Sequence, residues 1–167
     1  MTTTAQSAAI DQKREMLRHT LATLAYRGGK AVRGVPASFG EFRVAEGART
    51  PVQILSHVGD LFDWALSIAQ GQQRWKDASP LPWDDEVTRF HAGLQALDDY
   101  LASAEPLAAS CEALFQGPIA DALTHIGQIS LLRRAAGCPV KGENYFKAEI
   151  VAGRLGPEQA PPTREFD

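Results

Sequence analysis

The chain has 167 residues, of which 44% are hydrophobic and 22% charged, with a formal net charge of −3. That length suits one domain able to bury a sizeable core, and its scattered Lys and Arg argue against a nucleic-acid partner, which needs clustered cations. Two cysteines, Cys111 and Cys138, form no CxxC pair and are too few for a disulfide framework.

The opening "MTTTAQSAAI" lacks the apolar stretch of a signal peptide. No run approaches the roughly 18 apolar residues of a membrane helix. The expectation is a cytoplasmic protein with no membrane partner. Residues 1–7, small and polar, read as an irregular tail. Helical spacing begins near Ile10, passes through Leu17, Leu21, Leu24 and Ala25, and fades at Gly28-Gly29, with room to continue to Val32. The Gly- and Pro-rich stretch 34–49 is a long connection of the kind that often covers a site.

"RTPVQILSHVGDLFDWALSIAQG" is the clearest helix. Thr50 suits the N-cap, Pro51 the first turn and Gly71 the C-terminal stop. Ile54, Leu61, Ala65 and Ile68 form its apolar stripe. A third helix starts near Asp84, with Val87, Phe90, Leu94, Leu97 and Leu101 at heptad-like spacing. Leu107–Phe115 has a helical pattern, "QGP" at 116–118 breaks it, and a long helix follows over 118–136, stopped by Gly137 and Pro139. A last short helix is expected over 144–153, and 156–167 reads as an irregular tail. No strand pattern stands out. Amphipathic helices whose stripes must face one another give an all-α four-helix bundle with extra short helices, a single domain over 1–167.

Four histidines are present: His19, His57, His91 and His125. His57 lies one turn from Ile54 and Leu61, on the inward stripe of its helix. Asp121 and His125 stand one turn apart and project from the same side. Burying such groups costs free energy unless they are paired or coordinate something. Imidazole and carboxylate together suit a divalent ion such as Zn²⁺, Ni²⁺ or Fe²⁺. Three ligands on one side leave positions open for water or substrate. The spacing alone is not distinctive: in a chain this acidic, a carboxylate falls three or four positions from a given His roughly 40% of the time. A metal site and a packed, hydrogen-bonded core therefore both stand at this point.

Other residues read as structural. His91 fits the rim of its helix seam and His19 the surface. The two cysteines read as inert thiols, with nothing nearby to lower a pKa. Trp64, Trp75 and Trp83 read as core or cover. Arg133, close to an apolar sector, is expected to pair with Asp60 or Asp63, the other reading being the mouth of a pocket.

"ILSHVGDLFDWAL" followed by "DALTHIGQISLLRRAAGCPVKGENYFKAEI" resembles the DinB-like superfamily, also called YfiT-like, over roughly residues 12–153. That resemblance implies a four-helix bundle with an internal metal site. His57 falls on the first ligand, "HIGQ" makes His125 the last, and Asp121 stands where the family commonly has a histidine. The implied site is two histidines and a carboxylate, with harder oxygen character than three histidines. Gln128 is implied as a group orienting a ligand or bound water, and Glu143, Asn144 and Tyr145 as pocket borders, though Asn144 also suits an N-cap. The resemblance implies metal-assisted nucleophilic transfer, including low-molecular-weight thiols such as bacillithiol or mycothiol, or hydrolysis of a small molecule. The competing reading is a non-catalytic bundle acting as a binding or interaction module. Either is compatible with a homodimer.

Overall fold

The computed structural model describes residues 2–166, with side chains from Gln12 onward. Helix α1 spans Thr2–Val32, α2 Pro51–Ala69, α3 Trp83–Ala102, α4 Cys111–Leu114 and α5 Ala120–Ala135. Single 3₁₀ turns lie at Phe39–Glu41 and Tyr145–Lys147, and a π turn at Phe115–Ile119. Strands β1 (Gly142–Glu143) and β2 (Glu165–Phe166) form a two-residue antiparallel pair.

The four long helices pack as a ring in the order α1, α3, α2, α5. Leu21, Leu24, Leu55, Phe62, Phe90, Leu94 and Ile129 fill its centre, each almost completely buried. The cap of α2 forms as its sequence predicts. Thr50 Oγ1 accepts from Gln53 N, and Gln53 Oε1 accepts from Thr50 N at 2.9 Å, which satisfies two free amides at once. Gly71, at φ 79°, follows its last turn.

Facing residues set the helix directions. On α1, Arg14 reaches the Leu101 and Ser103 carbonyls while Gly28 meets Phe90, so α1 and α3 are antiparallel. Gly59 faces Arg89, and the Tyr100 hydroxyl approaches the Ala69 carbonyl, so α2 and α3 run parallel. A parallel pair needs a crossover rather than a hairpin. Residues 70–82 supply it by returning along α2, where Ala78 N donates to Asp60 Oδ2 at 3.1 Å.

One open bound is met and several expectations are corrected. The first helix passes through Gly28-Gly29 to Val32, the further end its sequence left room for, and Gly28 serves close packing, since a Cβ there would lie 2.4 Å from Phe90 Cζ. It also begins at Thr2, where a tail was expected; its Ala5, Ala8 and Ala9 favour helix. Residues 107–110 are not helical. Ala108 N donates instead to Ala69 O at 2.9 Å, tying this stretch to the end of α2, and the helix starts only after the Ser110 cap. The helix expected over 144–153 reduces to one 3₁₀ turn capped by Asn144, with backbone groups there serving tertiary partners: Asn144 N donates to Arg164 O and the Thr163 hydroxyl donates to Lys147 O. The tail is largely irregular, but Glu165–Phe166 adds the small strand pair that no alternation announced. "QGP" kinks the chain through the π turn, with Gly117 at φ −88°, ψ −105°.

Candidate metal centre

The candidate centre joins α2 to the first turns of α5. His57, Asp121 and His125 offer ligand atoms that all lie within 4.8 Å of one another, so this group can hold a metal ion. His57 Nε2 stands 3.6 Å from Asp121 Oδ2, and His125 Nδ1 stands 3.2 Å from Asp121 Oδ1. The two imidazoles are 4.7 Å apart between ring centroids. The first distance exceeds a hydrogen bond. It is close to the roughly 3.4 Å between two ligands that each sit about 2.1 Å from a tetrahedral ion.

The helix itself orients His125. Its Nδ1 lies 2.9 Å from the carbonyl of Asp121, one turn earlier. A carbonyl only accepts, so Nδ1 is the donor, and in the neutral ring Nε2 is the nitrogen left without a hydrogen. Metal-binding histidines use this arrangement, in which one nitrogen is held by a hydrogen bond and the other is presented. Side-chain exposure is 12% for His125, 21% for His57 and 45% for Asp121, so the group opens to solvent on the carboxylate side.

Trp75, on the crossover, packs edge-on against His57 at 5.6 Å and against Trp64 at the same distance. It is a cover residue, still 42% exposed and anchored by Nε1 to Asp77. Beside His57, Arg49, Gln53 and Ser56 border a small cleft with Asp77. Sequence reasoning passed over these three. Gln53, one turn before His57, was the available signal.

The remaining candidates lie elsewhere. Gln128 is exposed, and among the described residues it hydrogen-bonds to none of the three. His91 is not a rim residue: it is buried, its Nδ1 lies 2.7 Å from Leu155 O, and burial pushes its pKa down. His19 is exposed as expected. Cys111 is buried, with its thiol pushed up by desolvation, and Cys138 is a free, half-buried thiol.

Arg133 pairs with neither Asp60 nor Asp63. It is buried against the end of α1, where Nη1 donates to Ala31 O at 3.1 Å and Arg33 O at 2.8 Å, while Nε donates to Cys138 O. The α1 carbonyls among these are left without helical partners, and no spacing rule places Arg133 beside them. Arg89 takes the two aspartates instead, with Nη2 at 2.6 Å from Asp60 and 2.7 Å from Asp63. Glu143 and Tyr145 border a cleft on the far side of α5, not the histidine group. A more apolar cleft between α1 and α4, walled by Met16 and Phe115, contains no residue of the group.

No family model matches the chain, and neither a curated protein nor a solved structure is significantly similar to it.

Proposed function

We propose that the chain is a metal-dependent enzyme of the DinB-like type, acting on a small molecule by nucleophilic transfer or hydrolysis. The observation that carries this reading is the convergence of His57, Asp121 and His125 from two helices, with the motif order "SH" then "DALTHIGQ" in support. Zn²⁺, Ni²⁺ and Fe²⁺ all suit two imidazoles and a carboxylate. Such an ion, when bound, supplies Lewis acidity that favours the anion of a thiol or water brought beside it.

The chain's own residues hold and shield the centre. Asp121 contributes a negative charge and, through its carbonyl, fixes the His125 ring. Trp75, edge-on to His57 and backed by Trp64, covers the crossover side of the centre. The carboxylate side stays open for a substrate.

The test is a paired screen on metal-loaded protein. One arm follows consumption of a low-molecular-weight thiol with an electrophilic acceptor; the other follows hydrolysis of small esters and amides. Turnover in either arm that is lost with His57→Ala and with chelator is the expected result. Turnover that persists in His57→Ala would take the centre out of the activity, and none in either arm favours the binding-module reading.

A further inference from the structure

On α5, residues 123, 126, 127, 130 and 134 face away from Asp121 and His125. Together with α1, β1 and β2 they enclose a second cleft of about 470 Å³. Its floor is apolar, from Leu123 and Ile126, and the Phe166 ring forms one wall. That ring packs against Gly142, where a Cβ would lie 2.5 Å from its Cε2.

Three cations border this cleft: Arg27, Arg134 and Lys141. Among the described residues none of them forms an ion pair, although the chain as a whole is acidic. The carboxylates nearby are engaged elsewhere. Glu143 accepts from Tyr26 at 2.7 Å and from Lys30 at 2.8 Å, and Glu165 accepts from Lys30 at 2.7 Å. Lys141 is near enough to help lower the Glu165 pKa but makes no bond to it. The Arg27 guanidinium stacks over Tyr145 at 4.4 Å, which holds it at the cleft edge.

We propose that this cleft is a binding site for a soluble organic phosphate, with the phosphate between Arg27, Arg134 and Lys141 and an apolar or aromatic body on Leu123, Ile126 and Phe166. The size falls within the range of small-molecule sites, which combine an apolar floor with a few placed polar groups. Arginine forks match phosphate oxygens. The proposal is independent of the metal-dependent reading, because it uses the opposite face of α5.

The probe is phenyl phosphate, titrated into the full chain as purified at low salt and followed by amide chemical shifts. The expected result is saturation at millimolar probe, with shifts centred on Gly127, Ser130 and Gly142. The double variant R134Q/K141Q, whose changes are both exposed, keeps the fold and loses at least about tenfold in affinity. Phenol alone binds far more weakly. Shifts centred on His57 and Asp121, equal binding by phenol, or no saturation would each overturn the proposal. So would binding to vesicles rich in anionic phospholipid with none to phenyl phosphate, which would make the cations a membrane contact.

Discussion

Arg133 and His91 show how a buried polar side chain is explained by what it touches. Arg133 donates to carbonyls at the end of α1 and to Cys138. Removing it strands several buried acceptors, each lost bond to a charged donor being worth about 1.5–3 kcal/mol. Arg133→Ala should therefore lower unfolding free energy by about 2–4 kcal/mol in urea titrations, with Asp60→Asn leaving that loss unchanged. For His91, burial holds the folded-state pKa below its ordinary value of 6.5. The unfolded chain then binds the proton first, so this contribution is intact above pH 6.5 and is lost as pH falls through the lowered folded value. Acid titration of thermal stability should show wild type losing more than His91→Gln between about pH 7 and pH 5; equal losses would remove His91 from the account. Neither partner was legible in sequence. A histidine beside a seam and an arginine beside an apolar sector look alike whether they meet solvent, a carboxylate or a distant carbonyl. Asp121 and His125 were legible as a pair because one turn of helix fixes their relation before any tertiary contact forms.

Elements differ in how much of themselves they carry locally. Helix α2 brings its cap, its proline and its stop, and its bounds follow from them. The stretches 107–110 and 144–153 carry apolar spacing too, but their backbone groups bond to other parts of the molecule, so local pattern loses to tertiary hydrogen bonds. The crossover 70–82 carries no periodicity, yet it delivers Trp75 to His57. That contact makes a reporter. Ni²⁺ added to the protein should quench tryptophan fluorescence, and Trp75→Phe should lose most of the quench while binding the same amount of Ni²⁺. An undiminished quench in that variant would assign the signal to Trp64 or Trp83 and take Trp75 away from the centre.

At the scale of the whole molecule, amphipathic stripes announce an all-helical core, but not the direction in which each helix runs. The parallel course of α2 and α3 depends on the path of the crossover, and a Pro-rich connection reads the same whether it turns back or travels. His57 was legible as inward-facing; that it meets α5 rather than α1 or α3 follows only from the ring order. The assembled centre is thus a property of the packing, and the central claim is that this packing binds an ion. The most direct measurement is elemental analysis of untagged protein beside His57→Ala and His125→Ala. The account predicts near one metal per chain in the parent and loss in both variants, with circular dichroism unchanged. A parent that holds no metal after incubation with Zn²⁺, Ni²⁺, Mn²⁺ and Fe²⁺, or variants that hold as much as the parent, would contradict it.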